Sequence, residues 1–149
     1  MDSVTPFLMF DGRVEEALNF YVSTIRNSRI VELQRNGEAV MGGTFELDGR
    51  KFLCFNGGPH FSFSQGVSLF VNCETQEEVD ALWEKFSAGG EPQRCGWIKD
   101  KFGLSWQIIP SILGKYLQDK DRAKANRVMQ AMLQMVKIDI DGLKRAYAG

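Results

Sequence analysis

A strand–helix unit occurs twice in this sequence, about 62 residues apart, and few folds accommodate such a repeat. Residues 4–10 read as a strand punctuated by Asp11-Gly12. Residues 13–25 follow with Val14, Ala17, Leu18 and Tyr21 at helical spacing. Residues 28–34 are strand-like, and Asn36-Gly37 is a hairpin turn signal. Residues 39–47 and 51–55 make a second hairpin across Asp48-Gly49, and Asn56-Gly57-Gly58-Pro59-His60 reads as a loop. The order is β-α-β-β-β, and it then begins again. Residues 67–73 read as a strand. Thr75 and Glu78 form a capping box, in which the Thr75 hydroxyl accepts from the Glu78 N–H while Glu78 reaches back. The helix it opens runs to about residue 87. Residues 93–98 and 104–109 are strand-like around Asp100-Lys101-Phe102-Gly103. A shift of 62 lays Pro6-Phe7-Leu8-Met9-Phe10 on Ser68-Leu69-Phe70-Val71-Asn72, and Glu15-Glu16-Ala17 on Glu77-Glu78-Val79, without a gap. An internal duplication accounts for this register.

The expected organisation is a single domain over residues 1–149. Module one spans about 4–56, module two about 66–110, and a helical extension covers 111–149. A chain of this length buries roughly 70% of its extended surface and needs no disulfide or metal staple. The extension carries eight Lys/Arg against four Asp/Glu, and the rest ten against fifteen. The net charge of −1 leaves no basic footprint, so no nucleic-acid partner is expected. No apolar run approaches the ~20 residues of a membrane helix, and no signal-like segment opens the chain. Cys54, Cys73 and Cys95 include no C-x-x-C pair, which fits a reducing cytoplasm. His60 is the single histidine, so a site built from several histidines cannot exist within one chain.

Strand alternation divides each strand into two columns. One column is apolar and suits packing under helices. The other mixes apolar with small polar residues, among them Ser68 and Gln107. The fold class expected is α+β, with two βαβββ modules forming a curved, cavity-lining mixed sheet, plus C-terminal helices. Trp106 belongs to the apolar column, whereas Trp97 shares a face with Cys95 and points to the cavity. His60, in a Gly-Pro-bounded loop, is the candidate catalytic proton carrier. Asp100 reads first as a turn residue. Cys54 lies six residues before His60, but cysteines on strands are more often small buried hydrophobes than nucleophiles. The methionine-rich stripe Ala125, Val128, Met129, Met132, Leu133, Met135 and Val136 reads as a packing face, with a peptide-binding helix as the alternative.

This pattern resembles the vicinal oxygen chelate superfamily of glyoxalase I, bleomycin-resistance proteins and extradiol dioxygenases, and more closely its PhnB-like branch. The resemblance rests on Thr5-Pro6-Phe7-Leu8-Met9-Phe10-Asp11-Gly12, Ala17-Leu18-Asn19-Phe20-Tyr21, Asn56-Gly57-Gly58-Pro59-His60-Phe61, and the run from Cys95 to Gln107 containing Gly96-Trp97-Ile98-Lys99-Asp100. It implies a homodimer. It also implies metal ligands at positions that fall here on Pro6, Ser68, Gln107 and a residue near Phe55 or Asn56. None of these is a histidine or carboxylate, so no metal and no cofactor is expected. The function expected is binding of an unknown small molecule through Asn56, Ser68, Trp97 and Gln107, with His60 as the catalytic candidate. The alternatives are a metal-dependent lyase, isomerase or dioxygenase with unusual ligands, and the demethylubiquinone methyltransferase activity of the branch's label. The sequence shows no glycine-rich loop between a strand and a helix to support that label.

Overall fold

The computed structural model describes residues 3–149. The chain divides into two compact units, Met1–Ser62 and Phe63–Gly149.

In the first unit, β1 (Phe7–Phe10) leads into α1 (Val14–Thr24), followed by β2 (Arg29–Asn36), β3 (Ala39–Leu47) and β4 (Arg50–Asn56). The sheet order is β1-β4-β3-β2, with β1 parallel to β4 and the other pairs antiparallel. Strand β1 is shorter than the sequence suggests. Pro6 has no N–H for a ladder, although its carbonyl still accepts from Leu53 N. The register Leu8↔Cys54 and Phe45↔Phe52 puts one apolar column on a single face. Helix α1 buries Val14, Ala17, Leu18 and Tyr21. Tyr21 is the centre of this packing, with ring centroids 6.3 Å from Phe10 and 6.4 Å from Phe45.

The second unit repeats the plan with β5 (Ser68–Cys73), α2 (Gln76–Ser87), β6 (Glu91–Pro92), β7 (Trp97–Lys99) and β8 (Ser105–Pro110), in the order β5-β8-β7-β6. The parallel pair β5/β8 matches β1/β4. Helix α2 is capped as its sequence suggests: Glu78 N donates to the Thr75 hydroxyl, while the Glu78 carboxylate accepts from Glu74 N. The helix buries Val79, Trp83 and Phe86, and the Phe86 ring lies 4.6 Å from Trp106. Of the strand expected over 93–98 only its end is strand, in β7; residues 93–96 are the turn of a hairpin in which Glu91 and Pro92 of β6 pair antiparallel with Lys99 and Ile98. Cys95 and Gly96 have φ of 61° and 81°, the left-handed backbone of that turn. A Cβ on Gly96 would meet Ile109 Cδ1 at 2.7 Å and the Ile108 carbonyl at 3.0 Å, so only glycine fits there.

The duplication holds, but its gapless register does not. At a shift of 62 the helices agree, since Ala17 and Val79 are both buried, as are Tyr21 and Trp83. The strands disagree: Leu8 is 8% exposed and Phe70 53%. A shift of 63 restores the strands, pairing Phe7 at 54% with Phe70 at 53%, and buried Phe10 with buried Cys73. The extra residue is in the first connection, Asp11-Gly12-Arg13 against Glu74-Thr75. In a strand, a slip of one residue exchanges the two faces. Pro6 is therefore not the counterpart of Ser68; Thr5 is.

Helices α3 (Ser111–Leu117), α4 (Arg122–Leu133) and α5 (Ile140–Ala148) form the extension. Their core joins Leu113, Val128, Ile138 and Leu143 to Ile109 of β8. The methionine stripe is divided. Val128 is buried and Met132 packs beside it, while Met129, Leu133 and Val136 are exposed. Polar clamps tie the extension to its module. The N–H groups of Cys95 and Gly96, in the β6–β7 turn, donate to Met135 O and Val136 O. Gln76 donates to Ile138 O and accepts from Ile140 N, and Lys137 Nζ lies 2.8 Å from Asp80 Oδ1. Within the extension, the Tyr147 hydroxyl donates to Asp119.

These clamps give a pH dependence. The bond from Lys137, aided by Gln76, holds the Asp80 carboxyl below its ordinary range, and the Tyr147 hydroxyl does the same for Asp119. A lowered folded-state pKa stabilises above the unfolded value and is lost as pH falls through the folded one. Asp119 in turn pushes Tyr147 up, so that contribution is present below the unfolded phenol pKa and lost as pH rises through the folded one. The protection factors of amides in 111–149 are expected to fall below about pH 4 and above about pH 10 before those of β8 do. Equal loss in both regions would refute the clamp.

Candidate functional site

One helix covers one face of each sheet, and the register defines the residues on the other. In the first unit the uncovered face presents Phe7, Met9, Leu53 and Phe55, with Thr44 and Glu46 beside them. In the second it presents two cross-strand rows. One row is Ser68, Ser105 and Lys99, and the other is Phe70, Gln107 and Trp97. On this face Ser105 is also buried, and Ile109, next along it, is covered by the extension, so its accessible residues are Ser68, Lys99, Phe70, Gln107 and Trp97.

The second face is the chemically varied one. Gln107 Nε2 donates to Ser68 Oγ at 3.0 Å. The pair retains both a donor and an acceptor for a further group, because a hydroxyl and an amide together hold more capacity than one bond uses. The Ser105 hydroxyl is buried with no hydrogen-bond partner among the described residues. Lys99 Nζ lies 4.0 Å from Glu91 Oε2 and is part exposed. Phe70 is exposed and Trp97 half-buried, on either side of Gln107. Ser68, Trp97 and Gln107, expected from alternation to share a face, do share it. Phe70, Lys99 and Ser105 were not singled out in the sequence, although the same alternation would have found them.

Asn56 and His60 are placed differently. Asn56 Oδ1 accepts from Val14 N at 3.1 Å, and its Nδ2 donates to Val40 O at 3.3 Å. Asn56 thus caps α1, which has no side-chain cap of its own at Arg13, from the helix side of the sheet. His60 is exposed in the loop after β4.

Asp100 is a turn residue, as its sequence context suggests, and also more than that. Its carboxylate is 3% exposed. Oδ1 accepts from Phe102 N and Leu104 N, and Oδ2 accepts from the Trp106 indole at 2.8 Å. One side chain therefore closes the β7–β8 turn and fixes the largest core residue of the module. Its removal leaves two buried donors, Leu104 N–H and the Trp106 indole, and the part-buried Phe102 N–H unmet, and each buried one is worth roughly 1–3 kcal/mol. Asp100→Ala is expected to lower stability by about 3 kcal/mol or more in urea unfolding, and Asp100→Asn by less. An Asp100→Ala loss under about 1 kcal/mol would contradict this role.

Cys54 is a buried neighbour of Gly43, to whose carbonyl its thiol donates at 3.5 Å, and burial pushes its pKa up to about 11. That disfavours a thiolate nucleophile paired with His60. Cys73 is buried and Cys95 partly exposed. A thiol reagent at pH 8 is expected to modify Cys95 in the native protein and spare Cys54 until unfolding. Native-state labelling of Cys54 at a comparable rate would overturn this.

Among the described residues, no group of three or more His, Cys, Asp or Glu side chains is placed to hold a metal. The donors on the face are hydroxyl and amide groups, poor ligands for zinc, iron or nickel. By register the counterpart of Gln107 in the first unit is Leu53, which has no donor atom. These residues do not fit the metal centre that the resemblance implies. The strand-to-helix connections, Asp11-Gly12-Arg13 and Glu74-Thr75, do not form a glycine-rich loop, and Gly42-Gly43 lies within β3. Among the described residues, no helix is long and apolar enough to cross a membrane.

Comparison with known proteins bears on this geometry. Residues 2–109 match the family model described as 3-demethylubiquinone-9 3-methyltransferase. A Bacillus cereus PhnB protein carrying the same label is 36% identical, with a TM-score of 0.69 over 74% of this chain and 100% of that one. A glyoxalase-related enzyme from Fulvimarina pelagi shares the fold at 19% identity, TM-score 0.52, over 76% of this chain and 91% of its own. A glyoxylase/bleomycin resistance protein/dioxygenase domain from Frankia does so at 15%, TM-score 0.50, over 71% and 94%. No curated protein matches. The family match ends at residue 109, just before α3.

Proposed function

The chain belongs to the family described as 3-demethylubiquinone-9 3-methyltransferase, the PhnB-like branch of the glyoxalase/bleomycin resistance superfamily, and from that membership we propose that it binds a small organic molecule on the uncovered face of its second sheet without a metal ion. The observation that carries this reading is the Gln107–Ser68 pair, flanked by Phe70 and Trp97 where the superfamily is expected to place a ligand. Apolar walls with a few convergent polar groups are what a small-molecule site needs. Hydroxyl and amide groups orient such a molecule by hydrogen bonds, without Lewis-acid chemistry. The reading is argued from module two alone, where Ser68, Trp97 and Gln107 share a face; Asn56 is committed to α1 and His60 is exposed in the loop after β4. Against the methyltransferase label, the connections β1–α1, β5–α2 and β8–α3 do not provide the glycine-rich turn commonly used to hold the methyl donor. A homodimer in a reducing cytoplasm completes the reading and suits three free cysteines.

The test is made on protein purified without chelator. Elemental analysis is expected to find substoichiometric zinc, nickel, manganese and iron, and denaturation to release an organic molecule that Gln107→Leu protein lacks. Stoichiometric metal would sink the reading in favour of a metal enzyme. Saturable calorimetric binding of S-adenosylmethionine would sink it in favour of the label.

A further inference from the structure

The two rows on the second sheet differ in chemistry, and the difference specifies a ligand class. Resting on the site proposed above, we infer that the ligand is an aromatic carboxylate: a planar ring held along the row of Phe70, Gln107 and Trp97, with its anionic group toward Ser68, Ser105 and Lys99.

Phe70 and Trp97 stand on the strands either side of Gln107, each paired with it in register. Neighbouring strands lie about 4.8 Å apart, so the two aromatic residues start about 10 Å apart. That span admits one planar ring between or across their faces. Gln107 contributes hydrogen-bonding capacity beneath the ring, since only one N–H of its amide is spent on Ser68. Exposed large aromatic side chains on a sheet face favour ring contacts over saturated ones.

The adjacent row is polar and carries the positive charge. Lys99 is paired with Ser105, which is paired with Ser68. Its ammonium has only a 4.0 Å approach to the exposed carboxylate of Glu91, so most of its hydrogen-bonding capacity is available. The Ser68 hydroxyl accepts from Gln107 and can still donate. The Ser105 hydroxyl is an independent sign of an absent partner, because it is buried on this row and bonds to nothing among the described residues. Buried hydroxyls are nearly always satisfied, and an unsatisfied one marks a place where a bound group or water belongs. A carboxylate next to the row can accept from both Lys99 and Ser68, a charge-assisted arrangement that an alcohol or amide cannot match.

The experiment uses the whole protein and 1-naphthoate, with cyclohexanecarboxylate and 1-naphthamide as comparators. Trp83 and Trp106 are buried and Trp97 is half-buried, so quenching of tryptophan fluorescence reports on the site. Saturable quenching by 1-naphthoate is expected, with both comparators at least about tenfold weaker. Lys99→Gln is expected to abolish the preference for naphthoate over naphthamide while leaving urea unfolding unchanged. Phe70→Leu is expected to shrink the preference for naphthoate over cyclohexanecarboxylate. Equal affinity for the three probes, or an unchanged preference in Lys99→Gln, overturns the inference. If naphthoate fails to bind but a co-purified molecule is still lost in Gln107→Leu, the ligand class is wrong and metal-free binding stands. If neither is seen, both fall.

Discussion

A single helix can cover only one face of a four-stranded sheet, and each sheet here has one helix, which follows its first strand. Burial of Tyr21 against Phe10 and Phe45, and of Phe86 against Trp106, commits that helix to one face. Each fully buried side chain of this size contributes roughly 2–3 kcal/mol, so the choice of face is heavily biased. The other face must be left to solvent, a ligand, a second chain or an added element. In the second unit the extension takes one end of it at Ile109, and the rows around Ser105 and Gln107 are what is left.

The extension and the site depend on the same irregularity. Positive φ at Cys95 and Gly96 turns the chain between the antiparallel strands β6 and β7. The turn leaves the N–H groups of Cys95 and Gly96 for the carbonyls of Met135 and Val136, and so docks a segment beyond the family match. It also delivers the chain to Trp97, whose place on the uncovered face follows from its pairing with Gln107. Asp100, at the other end of β7, closes the turn and holds Trp106 on the helix side. A strand of three residues between two such fixed points has little freedom to slip.

Much of this was legible in the residues. Helical spacing located α1, the capping box located the start of α2, and alternation put Ser68 and Gln107 on one face. What misled was local. A shift of 62 fits the helices and strands equally well as text, and only burial shows that Leu8 and Phe70 are on opposite faces. Asn56 sits in a loop-like, glycine-rich run that suggests a ligand contact. Its partners are Val14, 42 residues earlier, and Val40, and no spacing rule reaches that far. Helix α3 follows directly on Pro110, where the sequence offers a strand end but no side-chain cap to announce a helix.

What the sequence determined alone was the repeat of β-α-β-β-β, the absence of histidine or carboxylate at the expected ligand positions, and the helical extension. Those are properties of residue type and period, and they survive any small error of register. The tertiary structure alone decided which residues face which way. Long-range pairing between β5 and β8, and between β7 and β8, set Lys99, Ser105 and Ser68 in one row and Trp97, Gln107 and Phe70 in the next. The physical reason is that strand faces alternate every residue, so a single inserted residue or a single broken φ exchanges inside for outside, and only the hydrogen-bonded partner strand records which has happened.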